Sequence, residues 1–212
     1  MENYLQATSS IDFHSDEVSG FIADLPVHLS QKEQAIWIYE KVRDGFLYDP
    51  YHLNISPAGL KASLVVTKNR AWCVEKALLA VACFRKVGIP ARFGFGIVKN
   101  HIGVDKLVAY LQKDEIVFHG FAEVFLNDKW SKCTPAFDQR ICALNKVEPL
   151  IWDTENDSLF QAFRGEEQFM EYLHFYGSFA DIPFELMHAE MKKHYPHLFS
   201  NPINTKAFSF EF

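Results

Sequence analysis

Several things are scarce in this chain, and each scarcity excludes something. No apolar run approaches the ~18 residues that a membrane-spanning helix needs. Basic residues are outnumbered, with 21 Lys and Arg against 27 Asp and Glu and a formal net charge of −6. No basic run stands out, so neither nucleic acid nor an anionic membrane surface is expected as a partner. Cysteine is sparse as well: Cys73, Cys83, Cys133 and Cys142 are the only four in 212 residues, with no C-x-x-C among them. A chain this long needs no disulfide staples. The opening MENYLQATSSIDFHSDEV has neither a basic nor an apolar signal region, so free thiols and a cytoplasmic location are the expectation. His188, His194 and His197 cluster near the end of the sequence without H-E-x-x-H or other ligand spacing, so no metal and no cofactor are expected. Repeats, low-complexity tracts and linkers are also missing, and the whole of 1–212 reads as one domain. Within it, 1–29 is an irregular lead-in, 30–140 the core, and 141–212 a C-terminal extension packed on the core.

What is present suffices for a substantial core: 49% hydrophobic residues, 15% aromatic, 20 of them Phe. Ser30 with Glu33 three places on forms a capping-box pattern. It leads a helix carrying Ala35, Ile38, Tyr39, Val42 and Phe46 on one face. Asn69 is placed to cap a second helix that holds Cys73. The apolar positions of this helix, from Trp72 to Phe84, wrap most of its circumference, which marks it as central and buried. Gly88 suits its C-terminus and Pro90 forbids continuation. RFGFGIV reads as a strand whose glycines allow close backbone approach, followed by a loop at Asn100-His101. HGFAEVFL alternates like a strand, Asn127-Asp128 suits a tight turn, and Trp130 to Cys133 is the returning strand. Phe169 to Tyr176 and Pro183 to Tyr195 read as helices. The order of elements predicts an α+β fold, with the Cys73 helix packed on an antiparallel sheet.

Chemistry centres on Cys73. A thiol is nucleophilic as its thiolate, and unpaired N–H groups at a helix N-terminus favour negative charge there. The same groups can hold an oxyanion. A nearby imidazole would complete the activation; His119, at a strand start before Gly120, is the candidate. A third group should fix its tautomer, and Thr134 and Asp138 in WSKCTPAFD are the polar residues at the end of the neighbouring strand. Buried cysteines are more often inert packing, and that is the expectation for Cys83, Cys133 and Cys142. Trp72 is either core filler or a cleft wall for a bound acyl group. Arg92 is expected to pair with a carboxylate, and Glu123 to be a buried structural one.

NRAWCVEKALLAVACFRKVGIPARFGFGIV, HGFAEVFLNDKW and SKCTPAFD together resemble the transglutaminase-like core superfamily, a branch of the papain-like cysteine hydrolase architecture. The likeness is to a Cys opening a helix that runs into G-[IV]-P-A-R, a strand with H-[AG]-[WYF]-x-E, and a strand with a Trp followed by Asp-Pro. It extends through VRDGFLYDPYHL and MEYLHFYGSFADIPFE to a bacterial subgroup of such proteins. The resemblance implies Cys73 as nucleophile and His119 as general base. Where the family carries Asp, this chain has Thr134, which can accept a hydrogen bond but brings no charge. Asp138 has the better chemistry but stands in the wrong place for the pattern, so both stay open as partners of His119. The implied activity is cysteine-dependent acyl transfer on amide or peptide bonds through a thioester. Hydrolysis is favoured over transamidation because no calcium loop is evident, and the expected partner is a peptide, a protein or an amide-bearing small molecule. The competing reading is a degenerate core that serves as a binding or scaffold module.

Overall fold

The structure, a computed structural model, describes residues 1–100, 105–159, 163–164, 167–168, 170–200 and 208–211. The lead-in is less irregular than expected. It contains a short helix, α1 (Asp16–Phe21), capped by Ser15, whose Oγ accepts from Val18 N. The next helix, α2 (Gln31–Gly45), begins with the capping box in full: Ser30 N donates to Glu33 Oε2 at 2.8 Å and Ser30 Oγ accepts from Glu33 N. Its buried face is Ala35, Ile38, Tyr39 and Val42. Then follow β1 (Leu47–Tyr48), β2 (His52–Asn54), α3 (Ala62–Val66) and β3 (Arg70–Ala71), with β1 and β3 paired in parallel.

The central helix is α4 (Cys73–Lys86), in which every residue from Cys73 to Arg85 is buried. Residues such as Leu78 and Leu79, fully buried, each contribute roughly 1.5–3 kcal/mol of transfer free energy. The N-cap position belongs to Trp72 and not to Asn69. Trp72 N donates to the carboxylate of Glu75, which the chain geometry brings back over the first turn. The helix stops at Gly88, whose φ of +78° few side chains tolerate. Two cations are buried in α4, and both are satisfied by backbone carbonyls. Arg85 donates to Ala91 O, Gln6 O and Ala180 O; Lys76 is discussed below.

The sheet that α4 packs on is antiparallel. Its members are β4 (Ala91–Asn100), β5 (Glu115–Leu126) and β6 (Lys129–Cys133), with α5 (Asp105–Leu111) between the first two. The β5–β6 turn is Asn127-Asp128, both in the left-handed region at φ of 50° and 58°, as the asparagine and aspartate predict. After α6 (Gln139–Asn145) and a short hairpin of β7 (Phe163–Arg164) and β8 (Glu167–Gln168), the chain returns as β9 (Met170–Phe179). This strand pairs with β4 to give the order β6-β5-β4-β9. The helix expected over Phe169 to Tyr176 is therefore wrong for Met170 onward, and Phe169 lies outside the described residues. The β4–β9 register skips one β9 residue, Tyr176, beside Gly96 and another, Leu173, beside Val98. These bulges break the period-two pattern that would have marked a strand. Pairing along the edge of β4 then outweighs local propensity. The expected helix at the end of the chain is present as α7 (Phe184–His194), and β10 (Ser209–Glu211) pairs with β2.

The outcome is an α+β architecture with the Cys73 helix on an antiparallel sheet. Part of the segment read as an extension, β9, belongs to that sheet.

Candidate active site

Cys73 is the first residue of α4 and is 2% exposed. Near the sulfur lie four donors that favour its ionised form: its own N–H, those of Val74 and Gly120, and the Tyr48 hydroxyl. Gly120 is a close-approach position. A Cβ there would lie 3.1 Å from Val74 Cα, so only glycine lets β5 press against the first turn of α4. Burial nevertheless dominates the thiol. It pushes Cys73 up to about 11, against the pull of these four donors. The helix N-terminus was expected to favour negative charge on the sulfur; desolvation of the thiolate outweighs it here.

A small cavity of about 30 Å³ meets the thiol, lined by Tyr48, Leu53, Trp72, Leu107, Met191 and Tyr195 among others. It has room for a water or two. Trp72 thus lines the space in front of the sulfur, and its buried Nε1 has no hydrogen-bond partner. A larger groove of about 650 Å³ runs beside the same helix end. It is lined by charged groups (Asp49, Lys68, Arg70 and Glu75) together with His52 and Ala71.

His119 is 1% exposed and follows a bulge in β5. Gly96 pairs with His119 but Val98 pairs with Ile116, so Val117 and Phe118 together oppose Ile97 alone. Phe118 takes a left-handed φ of 63°, which for a bulky residue costs on the order of 1–3 kcal/mol and is characteristic of functional sites. Nδ1 of His119 lies 3.1 Å from the Tyr172 hydroxyl of β9. Nε2 is buried and has no partner among the described residues. Burial pulls the imidazole down to about 4, leaving it neutral near pH 7.

Cys73 and His119 are linked through Gly120, the residue after His119, whose backbone N–H lies near the sulfur. Their side chains do not share a hydrogen bond, because Nδ1 faces Tyr172 and Nε2 faces no partner. Thr134 is buried next to this group. Its side chain is near enough to ease ionisation of the Tyr172 phenol, yet its Oγ1 makes no hydrogen bond of its own.

Asp138 does not serve His119. Its Oδ1 accepts from Arg140 N and Ile141 N as the N-cap of α6, and its Oδ2 accepts from Tyr48 N at 2.7 Å. Its carboxylate is consumed by a helix end and by β1, and so it fixes the strand whose Tyr48 hydroxyl reaches the sulfur. Arg92 and Glu123 form the expected ion pair at 2.5 Å, with Ser178 Oγ donating to the same carboxylate. His188 and His197 bond to Ile55 O and Tyr110 O, so two members of the histidine cluster hold backbone instead of facing a common point. His101 and the side chain of Asn100 lie outside the described residues.

Three residues near Cys73 and His119 escaped the sequence reading. Tyr48 and Tyr172 meet the site only through tertiary structure. Lys76, one turn along α4 from Cys73, is wholly buried and donates to Arg43 O at 2.7 Å and Ala136 O at 2.8 Å. Burial pulls its ammonium down to about 7. A lysine inside a largely apolar helix is the one signal that was visible beforehand.

Residues 26–135 match the family model of the transglutaminase-like superfamily. The matched segment is more than half of the chain and holds Cys73, His119 and Thr134. The chain belongs to the transglutaminase-like superfamily, and that membership supports a cysteine-dependent enzyme at the level of the family. No curated protein matches the sequence. Among solved structures, the chain is similar to a candidate cysteine protease from Cytophaga hutchinsonii, at 13% identity and a TM-score of 0.48. That alignment covers 80% of this chain and 61% of the other, so this chain spans less than two thirds of its neighbour's length.

Proposed function

We propose that the protein is a cysteine-dependent acyl-transfer enzyme acting on amide or peptide bonds. The observation that carries this reading is the placement of Cys73 as the first residue of α4, with Gly120, the residue after His119, in close approach to that first turn. In the resting site both partners are neutral. His119 is unprotonated near pH 7 and suited to take a proton, so it acts as general base when substrate enters. The Cys73 sulfur attacks the carbonyl carbon as its proton passes to His119. The imidazolium returns that proton to the leaving amine as the C–N bond breaks, leaving a thioester on Cys73. Water resolves the thioester in a hydrolase and an amine in a transamidase; hydrolysis is the preferred reading. N–H groups at the start of α4 stabilise the oxyanion. Trp72 walls the acyl end, and the charged groove beside Ala71 and Glu75 receives polar portions of a peptide, protein or amide-bearing substrate.

The test is a peptide-amide library screened with wild type, Cys73→Ala and His119→Ala, each verified to be folded by circular dichroism. Turnover by wild type that both substitutions abolish is expected; turnover retained in either one rejects the mechanism. Adding hydroxylamine separates the two resolutions, because a transamidase accumulates hydroxamate.

One observation favours a second reading, the degenerate binding module: among the described residues no carboxylate bonds to His119, and Thr134 stands where the family carries Asp. In that event wild type turns over no member of the library, and a peptide aldehyde leaves Cys73 unmodified.

A further inference from the structure

Among the described residues, no carboxylate holds the ring of His119. Asp138 is spent on Tyr48 and on the end of α6. Glu123, four residues along the same strand, is spent on Arg92 and Ser178. Thr134 offers only an unpaired hydroxyl. The group on Nδ1 is the hydroxyl of Tyr172, which comes from two strands away.

It reaches His119 because Gly96 lies between them. Gly96 pairs with His119 on one side and with Phe175 on the other. A Cβ on Gly96 would fall 3.0 Å from the Tyr172 ring and 2.7 Å from His174 O. The ring therefore passes over the bare backbone of β4. Its position is fixed on two sides: it stacks on Phe175 at 4.8 Å with planes 8° apart, and it meets Phe121 edge-on at 6.0 Å.

We propose that Tyr172 is the positioning residue for His119, its hydroxyl accepting the Nδ1–H so that the Nε2 lone pair is left free as the base. This assignment rests on the acyl-transfer reading of Cys73 and His119. It gives the unpartnered Nε2 a purpose: a buried ring nitrogen normally finds a partner, and this one is held for the thiol proton. Burial keeps the phenol protonated well above neutral pH, so Tyr172 orients the ring and supplies no charge to an imidazolium. Thr134 lies near enough to favour the ionised phenol, but among the described residues its Oγ1 has no hydrogen-bond partner.

The test reads the tautomer directly, by 15N NMR of histidine-labelled protein near pH 7. Wild type is expected to show His119 protonated at Nδ1 only. Tyr172→Phe keeps the ring over Gly96 and removes one oxygen; the Nδ1–H signal of His119 should then be lost in favour of Nε2–H. Adding Thr134→Asp to that variant should restore Nδ1–H through a carboxylate. The wild-type spectrum alone overturns the proposal if His119 is protonated at Nε2. An unchanged tautomer in Tyr172→Phe, or no restoration by Thr134→Asp, also overturns it. Cys73→Ala separates this from the functional reading, because it should abolish turnover and leave the His119 spectrum unchanged. A protein inert towards amides would lose the acyl-transfer reading and keep the tautomer result.

Discussion

Alkylation of Cys73 as a function of pH probes the resting site most directly. The thiol stands at about 11, roughly two units above an ordinary cysteine, so its thiolate fraction at pH 7 is about 100-fold smaller than that of a free thiol. A more basic thiolate is also a better nucleophile, with a Brønsted slope of about 0.4–0.5 in thiol–disulfide exchange. If a similar slope holds for alkylation, two units return about tenfold. Iodoacetamide should therefore label Cys73 about tenfold more slowly than free cysteine at pH 7, before any shielding by the small cavity in front of the sulfur. The rate should climb about tenfold per pH unit from 6 to 9, because only the thiolate reacts. Peptide mass spectrometry after timed quenching gives the rate at each cysteine separately. Tyr48→Phe sharpens the test by removing a hydroxyl that favours the thiolate, and it should slow labelling further at every pH in this range. Fast labelling with a flat profile between pH 6 and 8 would refute the reasoning, for it would mean that Cys73 and His119 rest as a thiolate–imidazolium pair.

Other expectations concern the scaffold around the site. Lys76 at about 7 binds fewer protons folded than unfolded above that pH, so wild-type stability should rise with pH between about 7 and 10.5 as far as this group is concerned. The rise from pH 7 to 8.5 is ~1.5 kcal/mol. Urea denaturation should show it in wild type and not in Lys76→Met; equal slopes would discount the buried amine. Gly96→Ala places a methyl against the Tyr172 ring and His174 O and should destabilise by ~1–3 kcal/mol through overpacking. A melting temperature unchanged from wild type would contradict that packing. Asp138→Ala removes a helix cap and the acceptor for Tyr48 N, at a cost of ~1–2 kcal/mol for the cap alone. The same variant should leave the histidine tautomer as in wild type; a changed tautomer would return Asp138 to the role that its contacts deny it.

Local chemistry was readable wherever a residue does its work within a few positions of itself. Ser30 with Glu33, Gly88 after α4, and Asn127-Asp128 between β5 and β6 all act inside one turn, and each is found where the sequence placed it. Cys73 at a helix start followed from the apolar wrap of α4. The environment of the thiol did not follow, because the helix-end effect is local while desolvation depends on residues such as Leu107 and Met191 that arrive from far along the chain. Asp138 was misassigned for the same reason: its chemistry suited His119, but the first turn of α6, which it caps, and the backbone of Tyr48 had the prior claim. Tyr172 was hidden by bulges that spoil the alternation of β9, and without the strand there was no reason to bring a tyrosine to a histidine 53 positions earlier.

Residues 26–135 carry the family match, yet the fourth strand of the sheet begins at Met170. A fragment trimmed to the matched boundaries would expose the outer edge of β4 and strip away the rings of Tyr176 and Phe179 that pack on Phe118 and Phe95. Such a fragment should be prone to join another copy of itself along that edge. The smallest portion of this chain that keeps the four-stranded sheet therefore reaches at least through Phe179.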